Sequence, residues 1–207
     1  MHPLLQRHLA ACPLVAIIRG VLPDEAEAVG EALFEAGIRI VEVPLNSPDP
    51  LVSIERLARR LGERALVGAG TVLEGGQVAE VKAAGGQLIV SPNTNADVIV
   101  AAAAAGLISC PGYFTPSEAF AAIQAGAHAL KLFPAEAASP AMVKAQRAVL
   151  PRDMPILVVG SVRPEAMTPW LDAGASGFGL GSGVFRPGDT PAEVLQKARA
   201  YVAALGR

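Results

Sequence analysis

The feature that most constrains the fold is a motif that recurs along the chain: the end of a helical segment, a glycine, and a short apolar strand. It is found in EAGIRIVEV, AAGGQLIV, AAGLISCPG, QAGAHALKLF and DAGASGFGLG. Glycine suits the position after a helix because it tolerates the left-handed backbone conformation that ends many helices. The motifs are about 20 to 25 residues apart, with one double gap that LPRDMPILVV fills. This repeat predicts a regular alternation of strands and helices.

Eight apolar segments are predicted to be strands: residues 14–20, 39–45, 65–72, 87–93, 108–114, 129–134, 156–162 and 177–182. The helices between them should begin near a proline or a capping residue, at Pro23–Asp24, Ser47–Pro48, Thr115–Pro116, Ser139–Pro140, Arg163–Pro164 and Thr190–Pro191. Such alternation is typical of a parallel α/β fold. Eight units in 207 residues predict one domain over residues 1–207, a (β/α)8 TIM barrel with an N-terminal helix. A doubly wound open sheet is the alternative, but no GxGxxG opens a helix after the first strand.

Composition narrows the class of protein. The chain is 52% hydrophobic with a mean hydropathy of +0.41, which suits many fully buried parallel strands. Its longest apolar run, residues 98–108, is too short to span a bilayer and is broken by Gly106. The net charge is −2, and basic residues form no stripe apart from Arg59, Arg60 and Arg64 near the end of one helical segment. We therefore expect neither a membrane nor a nucleic acid as a partner.

Cysteine and histidine usage argues against a disulfide framework or a zinc site. Cys12 and Cys110 form no pattern, and we expect free thiols in a reducing, cytoplasmic compartment. A lipoprotein-like LAAC near the N-terminus follows polar residues where an apolar region should be, so we do not read it as a signal. The three histidines have no zinc-ligand spacing. No metal or other cofactor is expected, although magnesium held by carboxylates stays open.

Three charged residues stand inside or at the end of apolar strands: Arg19, Glu42 and Lys131. Side chains alternate between the two faces of a strand, so Arg19 should face the same way as Ile17. A charge should not point into the apolar layer between strands and helices, which places all three toward the barrel interior. Strands 2 and 6 of eight face each other, so Glu42 and Lys131 should converge at the C-terminal mouth, where such barrels carry their chemistry.

A buried lysine opposite a glutamate has a chemical interpretation and a structural one. Burial disfavours an ammonium relative to a neutral amine, and a neutral amine can attack a ketone to form a Schiff base. The resulting iminium withdraws electrons and allows a neighbouring carbon–carbon bond to break, while Glu42 moves protons. The structural interpretation is an ion pair that only fills the barrel, although such pairs add little net stability. Because ionisable groups in unusual environments cluster at functional sites, we favour chemistry.

The ends of the last two strands predict a phosphate site. They carry Gly160–Ser161 and Gly181–Ser182, and barrels of this type commonly bind phosphate with these loops. Glycine lets backbone N–H groups approach the oxygens, and serine adds a donor. Arg19, on the first strand, could bind either the phosphate or a substrate carboxylate. Thr71 after strand 3 could bind a carboxylate beside the Schiff base, or could instead cap a helix.

These segments together resemble a known family. EVPLNSP, GAGTV, SPN, CPGYFTPSEA, LKLFPAE and GLGSGVF are similar to the class I aldolases that act on 2-keto-3-deoxy-6-phosphosugar acids, the KDPG and 4-hydroxy-2-oxoglutarate aldolases. The resemblance runs from about Leu14 to the C-terminal helix, and its most specific parts surround Lys131 and Glu42.

The resemblance implies a homotrimer of barrels that cleaves a phosphosugar acid reversibly to pyruvate and glyceraldehyde 3-phosphate, without a cofactor. It implies that Lys131 is the Schiff-base lysine and Glu42 the catalytic acid and base. The expected substrate-binding positions are Arg19, Thr71, Pro92, Gly160, Ser161, Gly181 and Ser182.

Three positions refine the prediction within the family. The gluconate branch usually has arginine where this chain has Asn46, and threonine where it has Val159, near substrate C4. Both residues favour 2-dehydro-3-deoxy-6-phosphogalactonate as the substrate, with the gluconate epimer or 4-hydroxy-2-oxoglutarate as alternatives. The family usually has a second glycine where this chain has Ser161, which puts phosphate affinity in question.

Two functions of other classes also fit the residues. A phosphosugar-binding barrel without catalysis would bind ligand tightly and form no covalent adduct. A phosphosugar epimerase or decarboxylase that uses Glu42 with a metal would be sensitive to chelators, and the scarcity of histidines counts against it.

Overall fold

The computed structural model describes residues 2–206 of the chain. Within these residues the helices are α1 Pro3–Ala11, α2 Pro23–Ala36, α3 Pro50–Leu61, α4 Gly75–Ala83, α5 Ala96–Ala104, α6 Pro116–Gln124, α7 Pro140–Arg147, α8 Met167–Asp172 and α9 Pro191–Ala204. The strands are β1 Leu14–Ile17, β2 Ile40–Pro44, β3 Leu66–Gly70, β4 Leu88–Val90, β5 Ile108–Cys110, β6 Gly112–Tyr113, β7 Leu130–Leu132, β8 Ile156–Val159 and β9 Gly177–Leu180. Short 3-10 helices lie at Gly62–Arg64, Ala135–Ala137 and Pro164–Ala166.

The strands form one parallel sheet in the order β5-β4-β3-β2-β1-β9-β8-β7-β6. The two ends of this order, β5 and β6, follow each other in the chain and are separated only by Pro111. Proline has no N–H to donate to a neighbouring strand, so the predicted fifth strand is divided into two segments. The sheet is thus nearly closed, and the prediction of a (β/α)8 TIM-type barrel is confirmed, with nine strand segments instead of eight strands.

The helix starts follow the local sequence closely. Helices α2, α6, α7 and α9 begin at the predicted prolines, and Thr115 and Thr190 accept hydrogen bonds from the N–H groups three residues later. The start predicted at Ser47–Pro48 is wrong, since α3 begins at Pro50 after Asp49. Pro164 opens a 3-10 turn, and α8 starts only at Met167. The five glycines of the repeat have φ between 73° and 110°, as the motif predicts.

Two apolar layers hold the barrel together. The larger one lies between strands and surrounding helices, and the smaller one fills the barrel interior with side chains such as Val15, Ile40 and Ala129. Leu5 and Leu9 of α1 belong to the interior layer, so the predicted N-terminal helix closes the N-terminal end of the barrel. Because this end is closed, only the C-terminal end is left for a ligand.

The observed strands stop earlier than the predicted ones. Predicted strand 3 runs to residue 72 and predicted strand 7 to residue 162, whereas β3 ends at Gly70 and β8 at Val159. The residues that follow each strand form loops at the C-terminal mouth, and these loops carry most of the predicted site residues. No helix among residues 2–206 combines the length and the apolar character needed to cross a membrane.

Candidate active site

The floor of the mouth is formed by two charged residues that face the barrel interior. Glu42 on β2 is 1% exposed and Lys131 on β7 is 7% exposed. Both line one small cavity inside the barrel, together with Val15, Ile40 and other apolar side chains. The inward direction predicted from strand alternation is therefore confirmed, and the two residues meet from opposite sides of the barrel.

The carboxyl group of Glu42 lies in an apolar and tightly bounded place. Its Oε2 has no hydrogen-bond partner among the residues that the structure describes. A Cβ atom at Gly70 on the neighbouring strand would stand 1.3 Å from this oxygen, so the carboxyl group can keep this position only beside a glycine. Burial raises the pKa of Glu42, while Lys131 and Arg19 act in the opposite direction. A carboxyl group whose pKa is raised by burial is suited to hold a proton and release it to a reacting group.

A cleft of about 450 Å³ opens above this floor. Nine of the predicted site residues line it: Arg19, Thr71, Pro92, Lys131, Val159, Gly160, Ser161, Gly181 and Ser182. Glu42 lies beneath it, and Asn46 reaches it through Arg19. The structure therefore brings all the predicted site residues together at one end of the barrel, although it does not test what each of them does.

One wall of the cleft is built around Arg19. Its Nη1 donates to Oδ1 of Asn46, and its Nη2 donates to Oγ1 of Thr71 at 3.3 Å. The loop that carries Arg19 is held in place by Ser47, whose Oγ accepts from the N–H of Gly20 at 3.0 Å. Thr71 has a φ of 57°, which is rare for a β-branched residue. It does not cap α4, because Glu74 occupies that position.

The opposite wall is formed by the loops after β8 and β9. The N–H and the Oγ of Ser161 both donate to Oε1 of Glu136, at 2.8 and 2.6 Å. The hydroxyl of Ser161 lowers the pKa of Glu136, so this carboxyl group is ionised at neutral pH. Ser182 is exposed at the start of the turn after β9. The predicted phosphate loops are therefore adjacent, and one of them already binds a carboxylate.

Val159 separates the cleft from the small interior cavity. It is 7% exposed and lines both spaces. A Cβ atom at Gly179 on the next strand would be 2.6 Å from Cγ2 of Val159, so glycine leaves room for this side chain. Cys110, treated above as an ordinary free thiol, lines the same cavity, and burial raises its pKa to about 12. Its thiol is therefore neutral.

Sequence reasoning missed three charged residues of the cleft: Glu136, Arg163 and Arg186. Glu136 follows β7 by only a few residues, so its place at a strand's C-terminal end was a usable signal. Arg163 and Arg186 lie farther along their loops, where no periodicity in the sequence predicts which way a side chain points. With Arg19 and Lys131 they give the cleft four basic groups, and Glu136 is its one acidic group among the residues described.

Within residues 2–206, no three side chains of the types His, Cys, Asp and Glu lie together in a way that could hold a metal ion. The expectation of a reaction without metal or other cofactor stays a prediction.

Comparison with known proteins now identifies the family. The KDPG and KHG aldolase family is matched by residues 5–197, which is most of the chain. The chain belongs to this family. It is an aldolase, as the relatives of established name are, and the resemblance seen in the motifs is confirmed.

Similar proteins support the same assignment. This aldolase is 47% identical to the 2-dehydro-3-deoxy-6-phosphogalactonate aldolase of Escherichia coli (strain K12) over 93% of this chain and 94% of that protein. A solved structure described as "Native KDPGal structure" has a TM-score of 0.92 at 47% identity and covers 94% of both chains. A KDPG aldolase from Legionella pneumophila, with pyruvate captured as a covalent carbinolamine, has a TM-score of 0.85 at 27% identity over 98% of both chains.

Proposed function

We propose that this aldolase cleaves 2-dehydro-3-deoxy-6-phosphogalactonate to pyruvate and D-glyceraldehyde 3-phosphate through a Schiff base on Lys131. The observation that carries the proposal is the meeting of buried Lys131 and Glu42 beneath a cationic cleft. The relatives named above support the choice of reaction and substrate.

Lys131 supplies the nucleophile. Its neutral amine attacks C2 of the substrate, and the carbonyl oxygen takes up a proton to give a carbinolamine. Loss of water then leaves an iminium bond between Nζ and C2. The amine stands on a strand with buried neighbours, so its approach to C2 is fixed before the substrate binds.

Glu42 supplies the proton transfers. It protonates the leaving hydroxyl of the carbinolamine, and as a carboxylate it accepts the proton of the C4 hydroxyl, directly or through a water. The electrons of the C3–C4 bond move into the iminium, which gives an aldehyde and an enamine. Protonation of the enamine at C3 and hydrolysis release pyruvate and restore the lysine. The raised pKa of Glu42 suits a group that must alternate between both forms.

The two walls of the cleft bind the two ends of the substrate. The guanidinium of Arg19 donates to Asn46 and Thr71, which follow β2 and β3. This placement favours the role of carboxylate binding for Arg19, with Thr71 as a second donor. The phosphate then lies against Gly160, Ser161, Gly181 and Ser182, with Pro92 closing the side of the cleft.

A mapping experiment tests the Schiff base. Borohydride treatment with pyruvate, followed by peptide mass spectrometry, should place a reduced pyruvyl group on Lys131. The variant K131A should lose both adduct and turnover but keep its fold, whereas K144A, which alters an exposed lysine on α7, should behave as the wild type. Bound pyruvate without an adduct would overturn the mechanism and favour a binding barrel without catalysis.

Val159 is proposed to set the preference at C4. A valine beside C4 donates no hydrogen bond, whereas a threonine of nearly the same size would bind one epimer's hydroxyl. The variant V159T should lower the ratio of kcat/KM for the galactonate over the gluconate substrate by roughly tenfold. An unchanged ratio would remove Val159 from this role. The same assay decides between the galactonate, gluconate and 4-hydroxy-2-oxoglutarate activities.

Two further expectations from the family resemblance belong to this proposal. We infer a homotrimer, which light scattering after size exclusion would measure directly, and a cytoplasmic location. The exposed apolar side chains of the described residues, such as Val52, Val100 and Val149, offer surface for such contacts.

A further inference from the structure

The donors that a phosphate should use at the end of β8 are already occupied by a side chain of the same chain. Both the N–H and the hydroxyl of Ser161 donate to one carboxylate oxygen of Glu136. The other oxygen, Oε2, lies over Gly160, since a Cβ atom at Gly160 would be 2.5 Å from it. The carboxylate therefore covers the two residues that were predicted to bind phosphate.

A phosphate group cannot share this place with the carboxylate. Both are anions that need the same donors, and like charges a few ångströms apart repel each other. Glu136 is ionised at neutral pH because the Ser161 hydroxyl lowers its pKa. Four basic side chains attract a phosphate to the cleft, and this one carboxylate opposes them at the point of binding.

Glu136 is free to leave its partner. It stands on the short 3-10 helix Ala135–Ala137, its side chain is exposed, and its carboxylate accepts hydrogen bonds from Ser161 and from its own backbone N–H. Rotation into solvent would return both donors to a ligand. One of the two hydrogen bonds in this pairing requires the serine side chain, because a glycine at position 161 would keep the N–H but provide no hydroxyl.

We propose that Glu136 is a specificity-determining residue that competes with the substrate's phosphate for the donors of Ser161. The inference rests on the proposed function for the identity of the phosphate-bearing ligand. Binding of phosphate displaces the carboxylate, so this chain binds the phosphate end of its substrate less tightly than the same cleft without that charge. This competition does not change the affinity for the part of the substrate that becomes pyruvate.

The test is calorimetry with inorganic phosphate as the probe. The variant E136Q keeps an oxygen that accepts from Ser161 but removes the charge, so phosphate should bind roughly fivefold more tightly than to the wild type, as expected for one exposed charge. E136A should act in the same direction. The matched control is E80Q, which removes an exposed carboxylate on α4 outside the cleft and should leave phosphate binding unchanged.

A double-mutant cycle tests the role of Ser161. In the wild type, S161A removes one donor for the phosphate and also loosens Glu136, which keeps only its bond from the N–H of residue 161, so the two effects oppose each other and phosphate affinity changes little. In the E136Q background the hydroxyl serves the phosphate, and S161A should weaken binding about threefold or more. Additive effects, or E136Q binding phosphate no more tightly than the wild type, would overturn the proposal.

The test of Glu136 and the test of the Schiff-base mechanism can fail independently of each other. Pyruvate carries no phosphate, so its borohydride adduct on Lys131 should form equally in the wild type and in E136Q. A wild type without adduct contradicts the Schiff-base mechanism and leaves the calorimetry to decide on Glu136. In steady-state assays E136Q should lower KM for the phosphorylated substrate at unchanged kcat, which a purely structural role of Glu136 would not produce.

Discussion

Glu42 is the residue whose surroundings bear most directly on the proposed proton transfers. Its carboxyl group faces a buried lysine, a glycine with no side chain, and apolar residues of the barrel interior. Burial disfavours the ionised form of this carboxyl group and raises its pKa, while the positive charges of Lys131 and Arg19 act in the opposite direction. The same environment that suits proton transfer therefore costs stability, and this cost depends on pH.

The first prediction concerns that dependence. Burial raises the pKa of Glu42 above the ordinary 4.5. The ordinary value applies to the unfolded chain and the raised pKa to the folded protein. As pH rises through the interval between them, the unfolded chain loses its proton first, so the free energy of unfolding falls. E42Q cannot titrate, and its stability relative to the wild type should increase from pH 4.5 upward, by about 1.4 kcal/mol for each unit of pKa difference.

Urea denaturation at a series of pH values measures this difference. The control E80Q should follow the wild type throughout, because its carboxylate is exposed. Parallel curves for E42Q and the wild type would show that Glu42 titrates equally in the folded and unfolded chain.

The second prediction concerns Gly70. An alanine there would place a methyl group 1.3 Å from Oε2 of Glu42, so the carboxyl group must move. G70A should lower kcat by about 10² or more, since a displaced general acid and base loses most of its contribution. The matched control is G76A on α4, where an added Cβ meets nothing within 4 Å, and full activity is expected. A G70A variant with normal kcat would contradict the role given to Glu42.

At the scale of elements, local sequence fixes where most helices begin. Thr190 accepts from the N–H of Glu193 at 3.3 Å, and Oε2 of Glu193 accepts from the N–H of Thr190 at 2.7 Å. Such reciprocal bonds satisfy N–H groups that the first turn of a helix leaves without partners. The threonine–proline pairs were therefore a dependable signal in the sequence.

The third prediction follows from this cap. T190A should lower the free energy of unfolding by about 1 kcal/mol, because the N–H of Glu193 in the first turn of α9 loses its acceptor. T168A, an exposed threonine within α8, makes the same chemical change without a cap and should stay within about 0.5 kcal/mol of the wild type. Thermal denaturation of both variants provides the comparison, and equal losses would contradict the capping role.

Strand ends were the weakest part of the sequence-based prediction. Apolar residues continue past the end of a strand, as at Val72, which lies two residues beyond β3, packs in the core between strands and helices, and donates its N–H to the carbonyl of Val90 on β4. Pro111 had a clear signal, a missing N–H within a strand, and its effect was overlooked. The helix start at Pro48 failed because a proline also suits the turn that precedes a helix.

At the scale of the whole molecule, the barrel collects residues that are remote in the chain. Alternation along single strands was enough to place Lys131 and Glu42 inside, since it depends only on neighbouring residues. The contact between Ser161 and Glu136 joins loops 25 residues apart, and the conformation of both loops had to be known to find it. Contacts between irregular loops therefore limited the prediction of the site, whereas the fold itself followed from the repeat.

The fourth prediction concerns the charge of the molecule. The chain has a net charge of −2, yet four basic side chains line its cleft. Three of them, Arg19, Arg163 and Arg186, are exposed, and salt screens exposed charges. Raising sodium chloride from about 0.05 M to about 0.5 M should therefore increase KM for the phosphorylated substrate several-fold and leave kcat nearly unchanged. R163Q should reduce this salt dependence, whereas R59Q on α3, outside the cleft, should not. A KM independent of salt would contradict electrostatic attraction.

The closure of one barrel end by α1 has a consequence for the kinetics of the proposed reaction. The cleft is closed at its bottom, and in the proposed reaction the pyruvyl half of the substrate is attached there while the phosphate-bearing half lies at the opening. The aldehyde must leave before pyruvate can, and in the synthetic direction pyruvate must enter first. We therefore expect an ordered mechanism in both directions for the proposed reaction. Leu5 and Leu9 contribute to this order as much as the lysine does, because they fill the other end of the barrel.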